Sequence, residues 1–332
     1  MRLSVNQMIS VFSTVKKGYN DKYSSMYKSQ KSRLYEKLST NRWLAILTFV
    51  PALALFAFVT FLPLVWAIAG SFHEISAFSP AWAYTGTSNY VEILTDSGFR
   101  ESLWKGTVFA VGSTAVQLVA GISFALLLNK TRSFRYGRLI TAIAFLPYLI
   151  PTAFVSLMFL WVANTQFGVL QQVLIDLRLI QEPISFFGDA SLAMPSVIAA
   201  SSWKFSVFVA IMVLARLQSI PDDFYESAQM AGASAYQQFR DITLPNLQGV
   251  IFIVLLLRGV WMFNKFDIIF VLTGGGPARA TETAPLYIYR VGFGEANLGL
   301  ALAGATVLFL ILAFSAVIYF YVFEPSQDVR VE

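Results

Sequence analysis

The 332-residue sequence has no cysteine and a single histidine, His73. Without thiols there are no disulfides, thiolate metal sites or cysteine nucleophiles, and one imidazole offers no basis for a histidine-based metal centre or catalytic triad. Charged residues are also scarce, at 13%, whereas 56% of the residues are hydrophobic and 30 are phenylalanine. This composition leaves too little polar surface for a soluble globule, so we predict a chain embedded in lipid.

Six apolar stretches are long enough to cross a membrane, which takes about 20 residues for roughly 30 Å of hydrocarbon. We therefore predict an all-α fold, an integral membrane bundle of six transmembrane helices, and find no pattern typical of β-strands. Pro147 and Pro151 in the third stretch predict a kink that neighbouring helices must accommodate. The stretches are residues 43–70, 106–129, 139–163, 194–217, 245–272 and 296–323.

The charged residues of the connecting segments predict the orientation in the membrane. Nine basic residues precede Trp43 against two acidic ones, and Lys130, Arg132, Arg135 and Arg138 follow the second stretch without an acid. The segments between the first and second stretches, and between the third and fourth, lean acidic. By the positive-inside rule we predict that both termini are cytoplasmic.

The net charge of +5 comes largely from the N-terminal tail and one short loop. This distribution favours membrane orientation over nucleic-acid binding. The tail either is solvated and fixes the topology, which we favour, or contacts anionic lipid headgroups. We therefore divide the chain into a basic cytoplasmic tail at residues 1–42, a transmembrane domain at 43–323 and a cytoplasmic C-terminal tail at 324–332.

The loop between the fourth and fifth stretches, residues 218–245, has helical signals of its own. Pro221 suits a first helical position, and Asp222 and Asp223 complement the positive end of a helix that we predict to run to about Ala231. Gly232 can end this helix in a left-handed conformation, and a second short helix would lead back to the membrane. The pattern indicates an amphipathic helix that lies parallel to the bilayer and offers a surface to its own bundle or to a partner.

Seven residues of this loop stand at the spacing of the EAA signature of binding-protein-dependent ABC importer permeases, which the chain resembles here. Its only departure is a serine at the position where the family usually has alanine. The matching residues are Glu226, Ser227, Ala228, Gly232, Ile242, Leu244 and Pro245.

The resemblance implies a type I ABC importer permease, a non-catalytic subunit whose loop holds the helix that couples it to an ATPase. Glu226 would pair with a basic residue of the ATPase groove, and Gly232 would provide the turn. The chain has no GxxxxGK[ST] phosphate loop, so we expect no cofactor or metal here and place ATP and Mg²⁺ on the partner. The implied partners are a second homologous permease, two ATP-binding cassette subunits and an extracytoplasmic solute-binding protein, in a prokaryotic cell membrane.

Five further segments resemble the carbohydrate-uptake permeases related to the maltose, oligosaccharide and glycerol-phosphate systems, specifically the first of their two paired permeases. This resemblance implies import of sugars by alternating access, with glycerol-3-phosphate or another anionic sugar or polyol derivative as the alternative. The segments are LPYLIP at 146–151, SWK at 202–204, LQSIPDDFYESA at 217–228, FDIIFVLTGGGP at 266–277 and LYIYRVGF at 286–293.

Two other classes of protein fit the sequence poorly. A membrane enzyme would need a cluster of acids, histidines or metal ligands inside the bilayer, and the four charged residues predicted there do not form one. A secondary transporter would show inverted repeats or broken helices at matching positions, for which we find no sign.

Those four charges, Lys204, Arg258, Lys265 and Asp267, leave two interpretations open. A charge at the bilayer centre costs at least roughly 2.5 to 3.5 kcal/mol, so it usually faces the bundle or a water-filled path. The basic residues could line a solute path and favour an acidic or phosphorylated solute. Alternatively, Arg258 packs against a helix-end carbonyl and Lys265 pairs with Asp267.

The resemblance to sugar permeases also marks a substrate path, built from the LPY segment, the fourth helix and the stretch before FD. Aromatic rings there would stack on sugar faces, and polar groups would replace water. Together with one neighbouring amide, the predicted path residues are Tyr148, Thr152, Ser201, Trp203, Lys204, Trp261, Asn264 and Lys265.

Overall fold

The computed structural model describes residues 42–76, 79–131 and 135–323, so the predicted tails lie almost wholly outside the described residues. The chain divides into two compact units, Met1–Trp66 and Ala67–Glu332. In the first unit, the apolar helix α1 begins at Arg42, and it continues past the boundary to Gly70.

The second unit is mostly helical, with one short hairpin. Antiparallel strands β1 (His73–Ser76) and β2 (Ser79–Tyr84) form the hairpin. Two π-helical turns occupy Phe239–Thr243 and Arg290–Gly294. The other helices are α2 Ser88–Thr95, α3 Ser97–Lys130, α4 Gly137–Leu149, α5 Thr152–Val162, α6 Val169–Asp176, α7 Ala193–Leu217, α8 Asp222–Met230, α9 Ala235–Gln238, α10 Leu244–Phe263, α11 Asp267–Thr273, α12 Ala284–Tyr289 and α13 Leu298–Phe323.

Five described helices are long and apolar enough to cross a membrane: α1, α3, α7, the continuous run from α9 to α10, and α13. A sixth span is the pair α4 and α5, which is bent by 91° at the break between them. The prediction of six membrane helices is therefore confirmed, with the predicted kink present as a sharp break.

Contacts between α3 and α7 show that the bent pair must return the chain across the membrane. A Cβ at Gly112 would meet Ile198 and one at Gly121 would meet Val209, so the two helices run in the same direction. Because α3 and α7 cross the membrane in the same direction, the chain has to cross it once in the opposite direction between them. By the same reasoning, the segment between α3 and α4 and the loop 218–245 lie at one end of the bundle.

Two details of the fold differ from the sequence-based prediction. The fifth span ends at Phe263 rather than near residue 272, because the chain leaves the helix at Asn264 and restarts at Asp267, whose charge suits a helix N-terminus. Hydropathy misses this break because the segment stays apolar. The β hairpin was also not predicted, since strands of four and six residues are too short for a clear alternation.

The closest helix packing in the second unit joins α3 to α7. A Cβ built at Gly121 would lie 2.5 Å from Cβ of Val209 and 2.8 Å from the carbonyl oxygen of Ser206. Below this point Ala125 and Val213 are completely buried in one core cluster. Small residues let helix backbones approach closely in lipid, where packing replaces the hydrophobic effect as the attraction between helices.

We predict that Gly121→Ala destabilises the protein by about 1 to 3 kcal/mol, because the added methyl group must push α7 away. The measurement is the thermal unfolding midpoint of the purified protein in detergent. Gly249→Ala in α10 is the matched control, since nothing lies within 4 Å of its Cβ position. Equal midpoints for the two variants would contradict the close approach of α3 and α7.

Candidate functional site

The break between α4 and α5 depends on a buried lysine. Ile150 and Pro151 are extended, with φ and ψ of −70° and 131°, and −55° and 141°, so they interrupt the helical hydrogen bonds. The ammonium group of Lys204 on α7 donates to the carbonyl oxygen of Tyr148, at 3.4 Å, and to that of Ile150. Lys204, which is only 3% exposed, therefore supplies hydrogen bonds that the broken helix cannot make for itself.

A cavity of about 430 Å³ opens beside this break. Aromatic and polar side chains line it together, as is typical of sites for small polar ligands. The lining residues are Tyr148, Phe205, Arg258, Val260, Trp261, Met262, Asn264, Lys265, Phe266 and Asp267.

Four of the eight predicted path residues line this cavity: Tyr148, Trp261, Asn264 and Lys265. The other four do not form its wall. Ser201 is buried and donates to the sulfur of Met262, at 3.6 Å.

The remaining path residues contact α4 and α5. Thr152 begins α5. Trp203 is 45% exposed and packs edge-to-face on Phe159 of α5, with ring centroids 5.6 Å apart. Together with Lys204, these residues border the bent pair, and the residues of α10 and the segment after it face the cavity.

Arg258 on α10 lines the cavity, in agreement with the interpretation in which the basic residues line a solute path, although it was not among the eight path residues named. It is 2% exposed, and its Nε donates to Oε1 of Gln117 on α3, at 2.7 Å. The partner of Arg258 is thus a side-chain amide on α3 rather than the helix-end carbonyl of the packing alternative. The signal for Gln117 was available: it is the one amide in the interior of the apolar second stretch, whose last residue is Asn129.

Three aromatic rings surround the Arg258 guanidinium. Its central carbon lies 4.8 Å from the ring centroid of Phe205, 5.7 Å from that of Phe208 and 5.8 Å from that of Trp261. Such contacts stabilise a buried cation through the negative face of each ring. They do not neutralise its charge.

Lys265 and Asp267 form the pair that the second interpretation expected. Nζ of Lys265 lies 2.9 Å from Oδ1 of Asp267, and it also sits over the ring of Phe205 at 4.5 Å. Both residues follow the end of α10, where the chain changes direction before α11. The two charges of this pair cancel, so the remaining positive charge of the cavity lining is that of Arg258.

The loop 218–245 forms a second candidate site, at the end of the bundle where α7 leaves it. No residue of α8 is buried, and Glu226 and Ser227 lie on its exposed surface. Gly232 has φ of +78°, a left-handed conformation that favours glycine. Ser234 then caps α9 through a reciprocal capping box with Gln237.

The rest of the loop joins α9 to α10 without a break. Pro245 has no N–H to donate, and the preceding π turn at Phe239–Thr243 accommodates this loss within a continuous helix from Ala235 to Phe263. Tyr225 of α8 is hydrogen-bonded to Thr243, with 3.0 Å between the hydroxyl oxygens. Ile242 packs against the core of the bundle, whereas Leu244 is exposed.

A family model described as "Binding-protein-dependent transport system inner membrane component" matches residues 117–329. The chain belongs to this family. The match covers the bent pair, the cavity and the loop 218–245, so both candidate sites lie within the family's common region. As a member of this family, the chain is a membrane-embedded permease subunit with no catalytic role of its own.

Two similar proteins show the range of the family's named functions. The trehalose/maltose transport system permease protein MalF of Thermococcus litoralis is 32% identical over 82% of this chain and 92% of its own length. The sulfoquinovosyl glycerol transport system permease protein SmoG of Agrobacterium fabrum is 31% identical over 86% of this chain and 92% of its own.

A solved structure has the same fold. It is a chain of a bacterial ABC transporter involved in the import of the acidic polysaccharide alginate, with a TM-score of 0.72. The match covers 87% of this chain and 99% of that chain, at 24% identity. The predicted type I importer permease fold is thereby confirmed.

We predict that Lys204→Met lowers stability by about 1 to 3 kcal/mol, because the carbonyls of Tyr148 and Ile150 lose their buried donor. The thermal unfolding midpoint in detergent measures this effect. Lys265→Met in the same cavity is the control: its partner Asp267 is 47% exposed and can be solvated, so the midpoint should change little. A midpoint for Lys204→Met equal to that of the control would contradict the role assigned to Lys204.

Proposed function

We propose that the chain is one of two paired permeases of an ATP-driven, binding-protein-dependent carbohydrate importer in a prokaryotic cell membrane. The observation that carries the proposal is helix α8, which buries none of its residues, bears the first three EAA residues, and is followed by a continuous helix that reaches the cavity. The names of the similar trehalose/maltose and sulfoquinovosyl glycerol permeases support a carbohydrate as solute. The aromatic and amide groups of the cavity suit sugar faces and hydroxyls.

The surface of the loop 218–245 is suited to an ATPase partner. Phe224 is 43% exposed, Met230 86% and Tyr236 71%, which is unusual for apolar side chains on a polar loop and typical of an interaction surface. Glu226, beside them, would pair with a basic residue of the ATPase groove, and Gly232 would set the angle between α8 and α9. ATP and Mg²⁺ would be bound by that partner.

The helix from Ala235 to Phe263 provides a direct mechanical link. Its 29 residues begin at the proposed ATPase surface and end beside Trp261 and Asn264 in the cavity wall. We expect this continuous helix to move as one element. When the ATPase subunits close, a shift of α8 would therefore be transmitted to the cavity, which is the requirement for alternating access.

The proposed orientation rests on the direction of the spans. The segment after α3, with Lys130, Arg135 and Arg138, and the loop 218–245 lie at the same end of the bundle, and the positive-inside rule makes that end cytoplasmic. Both termini are then cytoplasmic as well. The opposite end would meet the solute-binding protein.

The turn at residues 274–282 lies at that opposite end and is held in place by charges. Glu282, 7% exposed, pairs with Arg290 at 2.7 Å, and the ammonium group of Lys105 donates to the carbonyl oxygen of Arg279 at 2.6 Å. Its position at the end of α11 makes this turn a candidate contact for the binding protein.

We predict that Glu226→Ala combined with Gly232→Val uncouples transport from ATP hydrolysis. The first change removes the charge offered to the ATPase, and the second forces a β-branched residue into a left-handed conformation. In proteoliposomes with the partner permease, the ATPase subunits and the binding protein, solute-stimulated ATPase activity should fall to the unstimulated level. Asp223→Ala, on the same exposed helix, is the control and should retain stimulation.

Co-purification with the ATPase subunits completes this test. A double variant that still assembles and shows full stimulation by sugar would contradict the coupling assignment. Stimulation by non-carbohydrate solutes alone would contradict the carbohydrate assignment.

A further inference from the structure

We propose that Arg258 binds an acidic group of the transported solute, so that the cavity selects a sugar or sugar derivative that carries a carboxylate, sulfonate or phosphate. The inference rests on the proposed carbohydrate permease and names the class of its substrate. It assigns the recognition of the anion to Arg258, not to either of the two lysines nearby.

The partners of the three basic groups separate their roles. Lys204 donates to the backbone carbonyls of the broken helix, and Lys265 is paired with Asp267. Arg258 has no acidic partner within the described ranges 42–76, 79–131 and 135–323. Lys204 does not line the cavity, so Arg258 is the basic residue of the cavity wall that lacks an acidic partner.

The hydrogen bonds of Arg258 are also incomplete. Its Nε is bonded to Gln117, and its Nη2 has only the weak acceptor Sδ of Met262, at 3.6 Å. Nη1 has no hydrogen-bond partner among the residues that the structure describes. A guanidinium presents its N–H groups as a planar fork that matches the two oxygens of a carboxylate or phosphate.

The surroundings make an anion a better occupant than a neutral sugar. Arg258 is 2% exposed, and a buried charge without a counter-charge is unfavourable. The rings of Phe205, Phe208 and Trp261 exclude water from the guanidinium and accept no strong hydrogen bonds. The bond that Nε of Arg258 donates to Gln117 holds the side chain in place, so the site is prepared before the solute arrives.

A purely structural role is the competing explanation, because the bond from Arg258 to Gln117 also joins α10 to α3. The two roles predict different results. A structural bond supports the transport of every solute equally. An anion site affects acidic solutes and leaves their neutral counterparts unchanged.

The experiment measures uptake by the complete importer in proteoliposomes, with its cognate binding protein held constant. The probes are matched pairs: glucuronate with glucose, a galacturonate trisaccharide with maltotriose, and, as non-sugars, succinate with leucine. The variants are Arg258→Gln, Arg258→Lys and Gln117→Glu, the last of which gives Arg258 a counter-charge at the present 2.7 Å contact while keeping the arginine. Arg100→Gln, an exposed arginine at the start of α3, is the control.

The expected result is uptake of an acidic sugar, with a half-saturating concentration raised about 10- to 100-fold by Arg258→Gln and by Gln117→Glu, as for loss of a charged hydrogen bond. Arg258→Lys should retain part of the preference, and Arg100→Gln all of it. Uptake of neutral solutes only, or an equal loss for acidic and neutral sugars in both variants, would overturn the inference.

The panel keeps the two proposals separate. Uptake of neutral sugars alone overturns the anion site and leaves the carbohydrate permease standing. Uptake of succinate alone, weakened by Arg258→Gln, supports the anion site at Arg258 and overturns the carbohydrate assignment. Uptake of none of the acidic probes overturns the inference in either case.

Discussion

The structure depends on one constraint: a backbone that crosses hydrocarbon must satisfy its N–H and C=O groups within the protein. The long spans meet it through their own helical bonds, and each interruption needs a special solution. Between α4 and α5 the solution is the ammonium group of Lys204. Before Pro245 it is a π turn that keeps the helix continuous. The first solution places the buried ammonium group of Lys204 near the cavity. The second makes Ala235–Phe263 one continuous helix that ends at the cavity wall.

The two candidate sites are connected by that link. The loop 218–245 stays exposed because α8 buries none of its residues, while Tyr225 and Ile242 tie the loop to the bundle. From there the continuous helix reaches the cavity wall at Trp261. A permease subunit has no catalytic group of its own, so in the proposed importer the energy of ATP hydrolysis would reach the solute through movement. A continuous helix can pass on that movement without loss at a flexible joint.

The basic residues inside the membrane have different roles that their residue types alone do not reveal. Lys204, Arg258 and Lys265 look equivalent in the sequence, as basic residues in apolar segments. Their partners differ: two backbone carbonyls, a glutamine with three aromatic rings, and an aspartate. Only Lys265 has a carboxylate partner, the ammonium group of Lys204 is engaged by backbone carbonyls outside the cavity wall, and Arg258 is left as the basic group of the wall without an acidic partner. The proposed preference for an acidic sugar follows from this difference.

Apolar runs and the spacing of the EAA residues were enough to predict the six spans, the family and the left-handed turn at Gly232, because each depends on local properties of consecutive residues. The break at Asn264, the hairpin and the pairing of Arg258 with Gln117 could not be predicted. The first two involve segments too short or too uniformly apolar to show a pattern. The last joins positions 141 residues apart on different helices, and only the packing of α3 against α10 brings them together.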